Sequence, residues 1–222
     1  MVHGVVLAKG RSGVSEKDLG HPKVSPEEME GRIFRFEDIE GKGSPMGVPL
    51  MFIDSILPGH LRMNYAVIGD TASEDPDYQP ILGQPHKFQV GMFMCPPGNG
   101  PAWHTHDYIE LFMPLSGRFR FYFGNDPDGE AEGETVIGPW DMISLPPGLW
   151  RSFENAGEED AWCFAVLEQH EAYSGRDPYW PEWLIEQARD RGLEVDDKGK
   201  MIKPPNFEEL RDGVEAKLLR GE

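Results

Sequence analysis

Between residues 87 and 167 the apolar residues come in short runs, and nearly every run is closed by glycine and proline. Residues 87–95 (Lys-Phe-Gln-Val-Gly-Met-Phe-Met-Cys) stop at Pro96-Pro97-Gly98, and residues 141–145 stop at Pro146-Pro147-Gly148. Proline removes a backbone donor and glycine favours tight turns, so neither lets a long helix run through. Within 118–123 the pattern alternates with period two, which puts Phe119, Phe121 and Phe123 on one face of an extended chain. Residues 124–129 (Gly-Asn-Asp-Pro-Asp-Gly) read as a hairpin loop, and the apolar run 161–167 as a buried strand. Many short strands separated by turns predict an all-β domain, a sandwich or a barrel.

The flanks differ. Residues 1–45 are polar and Gly-rich with one amphipathic patch at Arg32-Ile33-Phe34-Arg35-Phe36, and read as an arm that packs on the barrel or on a neighbouring subunit. The barrel is expected over 46–170. Residues 171–222 are expected to be a helical extension: Pro181 suits a first helical position, and Asn206 can cap a helix carrying Phe207, Leu210, Val214 and Leu218 on one side. With 21 basic and 39 acidic residues the net charge is −18, which opposes binding to nucleic acid or to an anionic membrane surface. The first apolar run is too short for a signal sequence, and no run reaches the length of a membrane span. Cys95 and Cys163 both lie in apolar runs and read as buried thiols. A cytoplasmic location is therefore expected.

The chemistry concentrates in Gly98-Asn-Gly-Pro-Ala-Trp-His104-Thr-His106-Asp-Tyr108-Ile-Glu110. On an extended strand His104 and His106 point the same way, and Glu110 keeps their parity if the strand continues. Two imidazoles and a carboxylate on one face suit a first-row divalent ion with open coordination positions.

The wider pattern is Gly98, five residues, His104-Thr105-His106, three residues, Glu110, six residues, Gly117. It resembles the first motif of the cupin superfamily at every defined position. Residues 140–155 resemble the second, with Pro146, Gly148 and Asn155 in place. Two positions depart: Trp140 stands where the family has glycine, and Arg151 where it has a third histidine ligand. The resemblance implies an antiparallel jelly-roll β-barrel with its site in the lumen, and His104, His106 and Glu110 as metal ligands. Fe(II) is the first expectation, with Mn, Ni or Zn as alternatives. It further implies a small-molecule substrate and a homodimer joined through barrel-edge strands.

Arginine cannot ligate a metal. Three arrangements stay open. The three remaining donors hold the ion by themselves, or one of His60, His86 and His170 supplies a further ligand, or the metal is lost and Arg151 pairs with Glu110. Under the first, Arg151 is read as a clamp for a substrate carboxylate, against a purely structural ion pair with Glu110 or Glu154. Tyr108 joins it as a candidate catalytic residue. Trp103, Phe112, Trp150 and Phe153 are candidates for an aromatic pocket wall. The reading is a metal-dependent enzyme acting on a small carboxylated compound, an Fe(II) oxygenase first and an isomerase or lyase next; the alternative is a non-catalytic module that binds an organic anion through Arg151.

Overall fold

The computed structural model describes residues 24–42, 52–69, 73–75, 77–84, 86–128, 130–168 and 178–220. The chain divides into two units, Met1–Ile33 and Phe34–Glu222. In the first, the short helix α1 (Pro26–Glu30) starts at Ser25, whose hydroxyl accepts from the Glu28 amide while the Glu28 carboxylate accepts from the Ser25 amide. That reciprocal pair satisfies two amides that a helix start leaves without partners.

Among the described residues the second unit holds eight strands: β1 (Met63–Ile68), β2 (Phe88–Cys95), β3 (Glu110–Pro114), β4 (Phe119–Gly124), β5 (Gly133–Ile137), β6 (Ile143–Leu145), β7 (Trp150–Asn155) and β8 (Ala161–Glu168). They form a five-stranded sheet in the order β1-β2-β8-β3-β6 and a three-stranded sheet in the order β5-β4-β7. Every pairing between these strands is antiparallel. The fold is an all-β jelly roll, and the strands expected from the turn pattern are present to within two residues at each end.

Strand parity separates lumen from exterior. Phe93, Phe112, Phe119, Phe121 and Phe153 come from both sheets and meet as one aromatic cluster, with ring centroids 5.1–6.0 Å apart. This plugs one part of the lumen with large apolar area, the main term that holds two sheets together. The other face of β4 is polar: Tyr122 donates to the Glu154 carboxylate at 2.8 Å, so Glu154 is occupied away from Arg151. Outside the larger sheet, Met63, Tyr65, Val67, Met92 and Met94 pack against Ile39 and against Val214 of α3 (Phe207–Arg220). Phe36 meets Trp162 edge-on at 4.8 Å on the same face, so this end of the amphipathic patch does lie on the barrel.

A second apolar cluster joins Phe52 and Ile53 to α2 (Glu182–Asp190) and Phe207. α2 is present as expected, but Pro181 is its N-cap, with extended ψ of 151°, rather than its first helical residue. Cys95 and Cys163 are buried and unbridged, and burial pushes the Cys95 thiol up to about 12. No helix among the described residues is long and apolar enough to cross a membrane.

Two glycines are required by close approach. A Cβ on Gly100 would sit 1.8 Å from the Phe153 carbonyl oxygen, and one on Gly117, at φ +63°, would sit 2.6 Å from the Ala161 Cβ. These contacts lock the loops flanking the site segment against β7 and β8. Asn155 adds a third tie: its amide donates to the Cys95 and Glu159 carbonyls and its oxygen accepts from Gly157.

Candidate metal centre in the barrel lumen

His104 lies on an isolated bridge, and His106 just beyond it, rather than on a strand. The His104 amide donates to the Arg151 carbonyl at 3.0 Å and the Arg151 amide returns the bond at 2.9 Å, while Thr105 exchanges the same pair with Tyr179. Gly148, from the second motif, donates to the His106 carbonyl at 2.8 Å. Thus the Pro-Pro-Gly turn after β6 and the start of β7 hold the histidine segment in place. The extended run expected from His106 to Glu110 is broken by a bend, and Glu110 opens β3 instead. It still faces inward, because its register partner Leu167 belongs to the lumen cluster.

His104, His106 and Glu110 come together. One donor atom from each lies within 4.8 Å of the other two, and all three residues are buried. The His104 Nδ1 lies 2.6 Å from the Ala102 carbonyl. A carbonyl can only accept, so Nδ1 carries the proton and Nε2 is left with its lone pair. Burial, then the neighbouring His106 and Arg151, hold His104 well below the usual imidazole range, so it is neutral at pH 7. A neutral imidazole fixed by a backbone carbonyl is the state a metal ligand needs. The His106 ring stacks on Tyr108 at 4.7 Å, and its Nε2 is 3.9 Å from the Glu110 Oε2.

Arg151 is fully buried; its NH1 and NH2 groups are on protein acceptors, while its Nε has none. NH2 donates to the Glu110 Oε2 at 3.2 Å, and NH1 donates to the Leu149 carbonyl at 2.9 Å and the Thr105 hydroxyl at 3.3 Å. Of the two ion pairs open to it, the structure forms the one with Glu110. Arg151 is not among the residues that line the lumen cavity. A carboxylate has two oxygens and about four acceptor positions. Glu110 can therefore keep Arg151 and still offer an oxygen to an ion, and the donor set fits a divalent metal.

The cavity beside these residues has a volume of about 60 Å³. His104, His106, Tyr108 and Glu110 line it, with Phe112 and Phe153 as apolar wall. Trp103 and Trp150 do not. The space exists because Ala66, Gly91 and Ala165 are register neighbours across β1, β2 and β8, so three adjacent positions project little or nothing inward. Neither His60 nor His86 joins the cluster: His60 bonds the Gly100 carbonyl at 2.9 Å, and His86 bonds that of Gln84. His170 lies outside the described residues.

The same cavity is lined by residues that pattern reading passed over, Arg62 and Asn64. Arg62 precedes β1, and its NH2 donates to the buried Asp54 carboxylate at 2.6 Å. The other Asp54 oxygen accepts from the Ala102 amide at 3.3 Å. Burial pushes the Asp54 carboxyl up and the Arg62 charge opposes this. The signal was present in the sequence as Leu61-Arg62-Met63-Asn64-Tyr65, two polar residues at period two inside an otherwise apolar run.

A search of curated proteins returned no match. The model of the Cupin domain matches residues 91–167. Among solved structures, a putative sugar phosphate isomerase from Acidithiobacillus ferrooxidans is 18% identical with a TM-score of 0.45, over 64% of this chain and 78% of that one. An uncharacterized conserved protein with a double-stranded β-helix domain from Klebsiella pneumoniae is 18% identical with a TM-score of 0.41, over 64% of this chain and 92% of that one. A sugar phosphate isomerase of the cupin superfamily from Silicibacter pomeroyi is 19% identical with a TM-score of 0.34, over 40% of this chain and 55% of that one. Likenesses this distant carry no argument about chemistry. The domain match falls on the strands that carry both motifs and identifies residues 91–167 as a cupin domain.

Proposed function

We propose that the chain is a metal-dependent cupin enzyme acting on a small carboxylated organic molecule, with His104, His106 and Glu110 holding the metal. The observation that carries this reading is the convergence of two buried imidazoles and a buried carboxylate on one point of the lumen. Among divalent ions Fe(II) is our first choice, and bound there it would supply open coordination positions for a substrate and dioxygen, making the reaction an oxygenation.

The chain's own residues do the rest. The Ala102 carbonyl fixes the His104 ring and its tautomer. Tyr108 restrains the His106 ring by stacking. Arg151 holds one oxygen of Glu110 and so sets the direction of the other. Phe112 and Phe153 keep the small cavity largely apolar, which restricts water around the reacting groups.

A second reading has one observation in its favour. The Arg151–Glu110 contact at 3.2 Å neutralises Glu110 without an ion, as a non-catalytic anion-binding module requires. Metal analysis separates the two. Protein purified without chelator is expected to hold close to one equivalent of a divalent metal, and His104→Ala with His106→Ala to hold none while staying folded. Dioxygen uptake with carboxylic acids then tests the oxygenase step. If the wild type takes up none of Fe(II), Mn(II), Ni(II) and Zn(II), the enzyme reading is lost. The binding module then predicts that carboxylates raise the melting temperature equally with and without EDTA.

A further inference from the structure

We propose that Arg62 and Asn64 form the subsite that receives the carboxylate of the substrate. This rests on the reading above for the identity of the reacting end, but not for the subsite itself.

Both residues are buried, at 5% and 1% exposure, and both line the cavity that His104, His106 and Glu110 share. Asn64 pairs in register with Phe93, a lumen residue, and Arg62 lies two positions before it with the same parity. The Nε of Arg62 and the Nδ2 of Asn64 have no hydrogen-bond acceptor. A buried donor left unsatisfied costs roughly 1–3 kcal/mol. Both residues line the one cavity, and a carboxylate, with two oxygens, supplies an acceptor for each of them. Both vacant groups are donors, so at this end of the cavity they pair with a ligand's acceptor oxygens and not with its N–H groups.

The position is tied to the reacting end. Arg62 donates to one Asp54 oxygen, the Ala102 amide donates to the other, and the His104 Nδ1 donates to the Ala102 carbonyl. Three consecutive hydrogen bonds thus set Arg62 relative to His104 and fix the span that a substrate bridges. At about 60 Å³ the cavity takes only a compact molecule. The substrate class that follows is a short carboxylic acid, with its acid group at Arg62 and Asn64 and its reacting group toward His104, His106 and Glu110.

The test titrates the full chain with formate and acetate, against formamide and acetamide, followed by NMR shifts or calorimetry. It is run on the wild type, on Asn64→Leu, which keeps the volume and removes the donor, and on Arg62→Lys, which keeps the charge beside Asp54 and removes Nε. A separate titration with Zn(II) alone reads the metal site. Acetate is expected to bind the wild type, acetamide at least about tenfold more weakly, and both variants to lose about tenfold or more in acetate affinity. Zn(II) affinity in Asn64→Leu is expected to be unchanged. Absence of acetate binding in the tens of millimolar, or wild-type acetate affinity in either variant, overturns the subsite even where Zn(II) binds. Acetate binding that depends on Asn64 in a chain that takes up no Zn(II) supports the subsite and removes the metal-dependent enzyme.

Discussion

Replacing Arg151 by methionine tests how the lumen balances its charges. The substitution removes a fully buried guanidinium of similar length. Lost with it are the bond to the Glu110 carboxylate at 3.2 Å and the bonds to the Leu149 carbonyl at 2.9 Å and the Thr105 hydroxyl at 3.3 Å. A charge-assisted bond contributes roughly 1.5–3 kcal/mol and a bond to a neutral partner about 1. Glu110, itself 6% exposed, is left as a buried carboxylate with no cation, and breaking one side of such a pair costs about 3–5 kcal/mol in total. In urea, with a slope of about 3 kcal/mol/M, the unfolding midpoint of metal-free protein falls by roughly 1–1.7 M.

A divalent ion reverses the sign of the effect. In the wild type an ion of charge +2 beside the neutral Arg151–Glu110 pair leaves two positive charges uncompensated, whereas in Arg151→Met it leaves one. Unit charges about 4 Å apart interact by about 4 kcal/mol at an effective dielectric of 20, so even a fraction of this repulsion decides the affinity. Zn(II) is expected to bind Arg151→Met at least about tenfold more tightly than the wild type, and to restore much of its lost stability. The assay is urea unfolding with and without Zn(II), together with a direct Zn(II) titration. A loss below about 1 kcal/mol in the metal-free protein would refute the buried pair. Weaker Zn(II) binding in the variant would refute the assigned ligand set.

Two further expectations concern the shell around the site. Trp140 holds φ +72° and is 73% exposed, so Trp140→Gly relieves a left-handed backbone while losing little packing. Set against glycine's greater chain entropy, the net gain is about 0.5–1 kcal/mol, a rise of roughly 1–4 °C in melting temperature, and an unchanged or lower value argues against strain there. Glu74 is buried and accepts from the Trp180 Nε1 and the Phe52 amide, and burial pushes its carboxyl up to about 8. The folded state then holds a proton that the unfolded chain releases near its ordinary 4.5, so stability falls as pH rises through this window, by up to about 1.4 kcal/mol per unit. His104 works the other way, since its lowered value makes stability rise with pH, but only up to about 6.5. Because burial also raises the Asp54 carboxyl, Glu74 is isolated by comparing urea midpoints of the wild type and Glu74→Gln between about pH 6.8 and 8; a flat wild-type profile, or the same slope in Glu74→Gln, removes this account.

The legible part of the site was what local spacing encodes. His104, Thr105 and His106 alternate, and the flanking glycines fix where the segment turns, so the donor set followed from short-range pattern. Glu110 lies beside the histidines as the spacing suggests, but it reaches them through the register of β3 against β8 rather than along one unbroken strand. Arg151 left two roles open because its partner is set by a cross-barrel approach, 41 residues away in sequence. Arg62 and Asn64 were legible only as a polar pair at period two, for a related reason. Their parity on β1 is plain, but their meeting with His104 runs through Asp54 and Ala102, a path of tertiary bonds with no periodic trace. Trp140 shows the converse. The motif's glycine is gone from the sequence, yet the backbone keeps the left-handed conformation that glycine would favour, because the turn between β5 and β6 needs it.

Two buried ion pairs border one small cavity, Arg151–Glu110 and Arg62–Asp54. Buried pairs of this kind contribute little net stability over apolar residues of the same volume, so their retention at a site points to what the site must hold. Each pair is neutral on its own. A divalent ion at His104, His106 and Glu110 therefore brings charge that nothing in the lumen offsets, and a carboxylate at Arg62 and Asn64 brings charge of the opposite sign into the same low-dielectric space. Each should lower the cost of the other. Linkage then demands that acetate tighten Zn(II) by the same factor by which Zn(II) tightens acetate. Independent binding would place the two ligands in separate environments and divide the cavity that the register of Ala66, Gly91 and Ala165 leaves continuous.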